Sequence, residues 1–328
     1  MRLHAYLSGY KMQSNESGKS IRLSIPHLIL RNIYKVIYKY SHSKALKHNR
    51  RYWPYYAVER NEFTGINKIF FKKQLIVDNT QTPSTQKKCM LVATGPSIQD
   101  IPDSAFQQHD MDYFGVNGAI SLTHVHFKYY IIIDHNFTTK RFDLVQKVLK
   151  SECIFFTTPR CLDLILRSVK PENIRCQMKV IETITEGKVE RLMGHRETVN
   201  LDHPYYFTAN GKGFSKHIQD AVFDYFTVSY VALQIIHSLA AKEIYLAGLD
   251  MNNFNQPRFY ENSENKQPTM LDQYIDDVLP AFDLASTFLK TENTHVYNLS
   301  PTSAINAFEK LNLLTLHKGT RLEHHNMR

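Results

Sequence analysis

The sequence lacks the marks of a secreted, disulfide-stabilised or membrane-spanning protein. Its four cysteines, at positions 89, 153, 161 and 176, form no C-x-x-C pair, which argues against a zinc knuckle or a disulfide framework and suits a reducing compartment. No apolar run reaches the roughly 18 residues of a transmembrane helix. The N-terminus also lacks the uninterrupted apolar region of a signal peptide. We therefore expect a cytoplasmic protein.

Acidic residues are scarce at the start of the chain. Residues 1–90 contain 17 Lys or Arg but only 4 Asp or Glu, a net charge of +13, whereas the remainder carries −4. This asymmetry predicts a basic arm that meets an anionic partner. Hydrophobic residues make up 43% of the 328 residues, which argues against global disorder. The length allows one large α/β domain with additions, or two domains.

The basic arm is predicted to contain a helix over residues 26–48. Apolar residues recur there at steps of three and four, while Lys and Arg occupy the other faces, and an aromatic stretch follows at residues 52–56. Such a helix could lie in a membrane interface, or it could pack on the main domain with a solvated basic face. Nucleic-acid binding is a third alternative, but no recognisable module supports it.

Polar segments flank this arm and divide the chain. Residues 1–20 are polar, and residues 79–88, rich in Thr, Gln and Ser, indicate a linker. We therefore expect a basic N-terminal extension over residues 1–88 and an α/β domain over residues 89–250. A lid and the C-terminal part of the same domain follow over residues 251–328.

Strand and helix patterns alternate beyond the linker. This alternation predicts a doubly wound, mostly parallel sheet with helices on both faces. The predicted strands are 89–94, 111–116, 128–134, 152–157, 174–182, 243–248 and 295–299. The predicted helices are 142–149, 159–169, 227–241 and 271–290.

The first strand of this sheet ends in the turn Thr94-Gly95-Pro96-Ser97. Ligands of parallel sheets bind beyond the carboxyl ends of the strands. Gly95 would let the backbone approach a ligand closely, and Ser97 could cap the following helix, whose free amides favour phosphate. An ordinary strand-to-helix turn is the alternative.

Polar residues also follow other predicted strands. Asn117 ends the second strand and belongs either to a hairpin turn or to a loop that holds an amide over a ligand. Asp134, His135 and Asn136 follow the third strand. The strand EIYLAGLD ends in Gly248 and Asp250, and this Asp could hold a ribose hydroxyl or cap a turn.

Two polar segments lack a clear period. Residues 184–220 predict a long loop near the site, and their three histidines show no metal-ligand spacing, so no metal is expected. In residues 251–275, Arg258 and Tyr260 could close over a bound phosphate. At the start of helix 227–241, the hydroxyls of Thr227 and Ser229 could meet an anion.

These motifs together resemble the bacterial glycosyltransferases that use CMP-activated ulosonic acids. The motifs that carry the resemblance are ATGPS, the VNG strand end, the Thr-x-Ser helix start, EIYLAGLD, RFYEN and NLSPTSAI. The closer resemblance is to the Kdo(III) transferases of lipopolysaccharide core synthesis, where Kdo is 3-deoxy-D-manno-octulosonic acid. The broader relatives are bacterial sialyltransferases that use CMP-sialic acid. The resemblance covers roughly residues 90–310.

The resemblance implies a GT-A-like variant of the Rossmann-like fold, a CMP-sugar donor and inversion at the anomeric carbon, without a metal or another cofactor. It implies that the α/β domain over residues 89–250 binds the nucleotide sugar. The matched donor-site positions are Gly95, Pro96, Ser97, Asn117, Thr227, Ser229, Gly248, Asp250, Tyr260, Pro301, Thr302 and Ser303.

The chain departs from the sialyltransferase pattern in two places. Thr94 replaces the Asn of N-G-P-S, and the catalytic His that follows the lid has no counterpart, because His295 lies too close to the last strand. Asp134 is the first candidate for the general base and His135 the second, and either could instead be a simple turn residue.

The resemblance also implies the acceptor, a lipid-linked saccharide at the inner leaflet of the cytoplasmic membrane. The basic arm would then face anionic lipid and make the protein peripheral on that membrane, with no role for nucleic acid. Two alternatives stay open. One is a sialyltransferase that uses CMP-sialic acid on a surface glycan, and the other is a non-catalytic basic protein that binds membranes or RNA.

Overall fold

An eight-stranded parallel sheet forms the centre of the fold in the computed structural model, which describes residues 25–62, 65–81, 83–252 and 254–311. The side chains of the first helix are described from Ile29 onward. The predicted polar segment 1–20 lies outside the described residues.

The strands and helices have the following bounds in chain order. The strands are β1 (Tyr56–Arg60), β2 (Ile66–Phe71), β3 (Gln74–Asp78), β4 (Lys88–Val92), β5 (Met111–Val116), β6 (Tyr129–Ile132), β7 (Ile154–Thr157), β8 (Gln177–Val180), β9 (Thr183–Thr185), β10 (Lys188–Glu190), β11 (Arg196–Thr198), β12 (Tyr206–Ala209), β13 (Lys212–Ser215), β14 (Val222–Phe223), β15 (Glu243–Ala247), β16 (His295–Asn298) and β17 (Glu309–Lys310). The α-helices are α1 (Ile25–Ser41), α2 (His135–Lys140), α3 (Phe142–Lys150), α4 (Pro159–Ser168), α5 (Val228–Ser238) and α6 (Ile275–Thr291).

The order of strands across the central sheet is β17-β16-β15-β4-β5-β6-β7-β8, and every neighbouring pair is parallel. The chain moves outward from β4 to β8, then returns to the other side of β4 as β15. This is the topology of an open, doubly wound sheet, so the predicted fold class is confirmed. Each of the seven predicted strands is present. The last predicted helix begins at residue 275 rather than 271.

Side chains of successive residues in the central strands pack alternately into two cores, one on each face of the sheet. Leu91, Phe114 and Ile131 join the core that contains α5 and α6. Their neighbours Val92 and Tyr130 join the second core, with α3 and α4. Both faces are covered, which explains why the strands are nearly continuous apolar runs in the sequence.

The N-terminal segment departs from its prediction. The predicted helix 26–48 is two elements, because α1 ends at Ser41 and the 3₁₀ helix Lys44–Arg51 begins after the cap residue Ser43. The antiparallel sheet β1-β2-β3 follows and was not predicted. Its β2–β3 turn is Lys72-Lys73, with both φ angles positive, so this hairpin lacks the usual Asn-Gly or Asp-Gly signal.

From Ile29 onward, helix α1 directs its aliphatic side chains away from the protein. Tyr34 and Tyr38 face inward, where both rings contact Trp53 at centroid distances of 5.7 and 5.9 Å. The opposite face is exposed, and its large apolar residues are Ile29, Leu30, Ile33, Val36, Ile37 and Tyr40. Among the helices in the described ranges, none has the length and apolar character needed to cross a bilayer.

The segment predicted as a long loop, residues 184–220, contains short strands instead. Strand β10 pairs antiparallel with both β9 and β11. Strands β12 and β13 form a hairpin through Asn210-Gly211. This Asn-Gly pair, with positive φ at both residues, was the available hairpin signal. The strands are too short to show a period in the sequence.

A buried carboxylate joins the N-terminal sheet to this segment. Glu182 accepts from Arg60 Nη2 at 2.7 Å and from Arg191 Nη1 at 3.1 Å. It also accepts from the Leu192 amide at 2.6 Å. Burial alone would lower the pKa of Arg191, but the charges of Glu182 and Asp220 outweigh burial and raise it. The two guanidinium groups therefore share this buried carboxylate, and Arg191 also pairs with Asp220 and Glu197.

We expect Glu182→Ala to lower the free energy of unfolding by about 3–5 kcal/mol, because it leaves two partly buried guanidinium groups without their shared partner. Urea denaturation at neutral pH measures this change. Glu172→Ala is the matched control, since Glu172 forms an exposed pair with Lys170 that contributes at most about 1 kcal/mol. Equal effects of the two substitutions would contradict the structural role of Glu182.

Candidate functional site

The candidate site lies where the strand order reverses, at the carboxyl ends of β4 and β15. A Cβ on Gly95 would lie 2.4 Å from Asp250 Oδ2 and 2.6 Å from the main-chain oxygen of Gly248. The Gly95 amide donates to this same oxygen at 2.8 Å. Only glycine fits this approach, so the two strand ends are held together at the switch point where ligands bind in such sheets.

Ser97 and Asp250 form the central contact of this junction. Ser97 is not the predicted helix cap, because it lies within the 3₁₀ helix Pro96–Asp100, whose cap position is Gly95. Its amide donates to Asp250 Oδ2 at 3.0 Å, and its hydroxyl donates to Asp250 Oδ1. The hydroxyl also lies 2.7 Å from Ser300 Oγ, beyond β16. Asp250 is buried, so its role at a ribose stays a prediction.

The predicted C-terminal turn reaches the same junction. Ser303 Oγ donates to the main-chain oxygen of Leu249 at 2.5 Å and accepts from the Ile305 amide at 3.1 Å. Thr302 is exposed, and its main-chain oxygen accepts from the Asn252 side chain. Ser303 therefore stabilises the turn, whereas the Thr302 side chain is accessible to a ligand.

Asn117 follows β5 in a left-handed conformation, with φ of 45°. Its main-chain oxygen accepts from the Tyr130 hydroxyl at 2.8 Å. The side-chain Oδ1 is buried and has no hydrogen-bond partner among the described residues. Buried polar atoms are normally paired, and an unusual backbone conformation often marks a functional position. Asn117 therefore has an acceptor free for a ligand.

The segment after Asp250 covers these strand ends. The Phe259 amide donates to the main-chain oxygen of Thr94 at 3.4 Å, and the Tyr260 ring lies against Gly118. Burial raises the pKa of Tyr260, so its hydroxyl stays protonated and available as a donor. Arg258 Nη1 donates to Glu261 Oε1 at 3.0 Å. This ion pair lies within the lid segment. It already occupies the guanidinium group of Arg258, which was predicted to meet phosphate.

Arg141 belongs to this site but was not predicted from the sequence. Its guanidinium carbon lies 5.2 Å from the centre of the Tyr260 ring. Nε and Nη2 donate to the Asp143 carboxylate, while Nη1 is buried and has no partner in the described part of the chain. The sequence signal that could have identified Arg141 was its position, seven residues after Asp134 and between two helices. A buried donor of this kind suits a phosphate or carboxylate.

Helix α5 begins at the same edge of the sheet, because its end leads into the start of β15. Thr227 is the cap residue but makes no side-chain cap hydrogen bond, and Ser229 is buried in the first turn. The preceding Phe226 has φ of 61°, and its exposed ring stacks on Tyr274 at 3.7 Å. Anion binding by the first amides and the Thr227 hydroxyl therefore stays a prediction.

The two predicted base candidates lie at the end of β6. Asp134 caps α2, and its Oδ1 accepts from the Asn136 amide at 2.7 Å. Burial, followed by the charge of Arg160, lowers the pKa of His135, while Asp134 acts in the opposite sense. Asp134 therefore has a structural role in the helix start. His135 is neutral at pH 7 and could accept a proton.

No cluster of three or more potential metal ligands occurs within the described ranges. The donors that converge at the strand ends are hydroxyl, amide, guanidinium and main-chain N–H groups. Such a set suits a phosphorylated, polar ligand better than a metal ion.

A family model described as "3-deoxy-D-manno-octulosonic acid transferase WaaZ" matches residues 70–316. Two curated proteins, each named "Probable 3-deoxy-manno-octulosonic acid transferase", match shorter regions. The protein of Salmonella typhimurium is 33% identical over 95 residues, which are 28% of this chain and 34% of that protein. The protein of Escherichia coli K12 is 33% identical over 93 residues, 28% and 32% of the two chains. The matched region thus spans about a third of these relatives.

Two solved structures of the Campylobacter jejuni sialyltransferase CstII were also found. The complex with cytidine-5'-monophosphate has a TM-score of 0.32 and 15% identity, covering 70% of this chain and 86% of that one. The complex with CMP-3FNeuAc has a TM-score of 0.30 and 15% identity, covering 69% and 86%.

The contact of Tyr260 with Gly118 gives a test of how the lid is placed. A Cβ on Gly118 would lie 2.1 Å from Tyr260 Cε1, so Gly118→Ala should displace the ring and lower the melting temperature. Tyr260→Ala removes the obstacle. Each single variant should also lower the free energy of unfolding. In the double variant, the loss of this free energy should be smaller than the sum of the two single losses by roughly 0.5–3 kcal/mol, as expected of residues in contact. Additive losses would show that the ring does not cover this turn.

Proposed function

Because this chain belongs to the WaaZ family of 3-deoxy-D-manno-octulosonic acid transferases, we propose that it transfers Kdo from CMP-Kdo to a Kdo or inner-core acceptor of lipopolysaccharide. The reaction proceeds with inversion and without a metal. The observation that carries this proposal is the convergence of Ser97, Asn117 and Thr227 on the edge of the sheet where the strand order reverses. Nucleotides bind at this edge in open α/β sheets, so the position of these groups supports a nucleotide ligand.

Two unpartnered groups support a nucleotide-sugar donor. The Oδ1 atom of Asn117 can accept from a cytosine amine or a sugar hydroxyl, and Nη1 of Arg141 can donate to a phosphate or to the carboxylate of an ulosonic acid. The Tyr260 ring links the two residues, because it lies against Gly118, next to Asn117, and under the Arg141 guanidinium group. A ligand with both kinds of group would satisfy them together.

The departing CMP phosphate needs donors that replace a metal ion. The first amides of α5, the Thr227 and Ser229 hydroxyls and the Tyr260 hydroxyl are the candidates. Donors already in place stabilise charge that develops on a leaving group, because they need not reorganise during the reaction. Arg258, paired with Glu261, holds the lid segment in position.

CMP at millimolar concentration should raise the melting temperature, because a ligand that binds only the folded state stabilises it. Asn117→Ala and Arg141→Ala should each reduce this shift, whereas Ser168→Ala, at the exposed end of α4, should leave it unchanged. Differential scanning fluorimetry with CMP, UMP and AMP measures the effect. An unchanged melting temperature with CMP would refute the donor proposal.

Turnover separates the proposed donor from its rivals. Release of CMP from CMP-Kdo, but not from CMP-sialic acid, in the presence of a Kdo-lipid A acceptor is the expected result. Turnover of CMP-sialic acid alone would indicate a sialyltransferase. Binding to anionic vesicles or RNA without turnover of either donor would indicate a non-catalytic protein.

We further propose that α1 docks on the inner leaflet of the cytoplasmic membrane and brings the site to its lipid-linked acceptor. The aliphatic face of α1 is exposed, with Val36 at 57% and Tyr40 at 81%. Exposed Lys39, Lys44 and Lys47 lie on or just beyond this helix. An apolar face flanked by lysines matches an interface between acyl chains and anionic headgroups.

Ile33→Asn with Ile37→Asn should lower binding to anionic vesicles by roughly tenfold or more, since fully burying one such side chain contributes about 1.5–3 kcal/mol. Turnover of a lipid-embedded acceptor should fall, while turnover of a delipidated acceptor should stay the same. Vesicle sedimentation measures binding. Leu75→Asn is the control, because Leu75 is an exposed apolar residue in β3. A similar loss in the control would rule out docking through α1.

A further inference from the structure

A carboxylate that was not among the predicted site residues lies just before α5. Asp224 follows β14, and its amide donates to the main-chain oxygen of Ile184 at 3.0 Å. Its Oδ1 is buried and has no hydrogen-bond partner in the part of the chain that the structure describes. A carboxylate oxygen without a partner is costly to bury, so this atom calls for an explanation.

The position of Asp224 is the edge of the sheet where the donor is proposed to bind. It lies three residues before Thr227, the cap residue of α5, and within electrostatic range of Asp134, which follows β6. The chain between Asp224 and Thr227 passes through Phe226, which has a positive φ. Strained backbone held at a sheet edge is typical of functional sites.

The surroundings tune the proton affinity of this carboxylate. Burial, with a smaller contribution from the charge of Asp134, raises the pKa of Asp224 to about 6, while the Phe226 and Thr227 amides act in the opposite sense. Asp134 also acts electrostatically on His135 and Arg160, since burial lowers the pKa of each and the charge of Asp134 raises it in part. Asp224 is therefore ionised at pH 7 to 8 yet more basic than an ordinary aspartate, as suits a general base.

We propose that Asp224 is the general base of the transfer reaction. Its Oδ1 takes the proton of the acceptor hydroxyl while the hydroxyl oxygen forms a bond to the anomeric carbon of the sugar. The bond from that carbon to the CMP phosphate breaks, and its electron pair leaves with the phosphate. This inference rests on the proposed function.

Asp134 then acts through Asp224 rather than on the substrate. Its Oδ1 is engaged by the Asn136 amide at the start of α2, whereas Oδ1 of Asp224 is free. Asp134 is a positioning residue whose negative charge raises the proton affinity of its neighbour. The roles of the two aspartates predict different pH profiles for their variants.

The test compares Asp224→Asn, Asp134→Asn and the exposed control Asp202→Asn. The readouts are kcat between pH 5 and pH 9 with CMP-Kdo, the affinity for CMP and the melting temperature. Asp224→Asn should lower kcat by on the order of 10² to 10⁴, keep the affinity for CMP and melt no lower than the wild type at pH 8, where the buried charge is removed. Asp134→Asn should move the acidic limb of the pH profile of kcat to lower pH, because it removes a charge that raises the pKa of Asp224.

Several results would overturn the inference. Near-normal kcat in Asp224→Asn transfers the role to Asp134 or His135, according to which variant loses turnover. Loss of CMP affinity together with kcat in Asp224→Asn indicates a structural or donor-binding role. An unchanged acidic limb in Asp134→Asn would show that the charge of Asp134 does not influence the base. If the wild-type protein does not turn over CMP-Kdo, the proposed function itself is wrong. This outcome is distinguishable from a wrong assignment of the base, because it is seen without any variant.

Discussion

The contact between Ser97 and Asp250 constrains the rest of the site. It joins the turn after β4 to the turn after β15, and it requires a glycine at position 95. Ser300 extends the contact to the end of β16. Because these three strands are parallel neighbours, one hydrogen-bonded junction sets the positions of three strand ends, and the lid segment follows directly from Asp250.

Around this rigid junction the protein leaves polar atoms without partners. Oδ1 of Asn117, Nη1 of Arg141 and Oδ1 of Asp224 are buried and unpaired among the described residues. Each is unfavourable for folding, because a buried polar group normally replaces its water with a protein partner. Asn117 follows β5, Arg141 follows α2, and Asp224 lies between β14 and α5. A ligand with hydroxyl, phosphate and amine groups would supply the missing partners, which fits a stability cost borne for binding.

Within the N-terminal segment, one part packs into the core and another part leaves an apolar face exposed. Tyr52, which follows the 3₁₀ helix, joins a core of the main sheet together with Ile69 of β2 and Val77 of β3. Helix α1 instead attaches by Tyr34 and Tyr38 and leaves its aliphatic side exposed. One side of the helix therefore packs on the protein, and the opposite apolar side is exposed. An exposed apolar face of this size is typical of an interaction surface.

The sequence by itself determined the parallel sheet and the residues at its edge, because buried strands, Gly-Pro turns and alternating helices are local patterns. It could not determine which side of α1 faces the protein, since an aliphatic stripe is compatible with a core or with a membrane. The Lys72-Lys73 hairpin and the short strands after Glu182 carry weak local signals, and long-range pairing decides them. Arg141 and Asp224 were missed for the same reason: a charged residue becomes unusual only when folding buries one of its atoms without a partner.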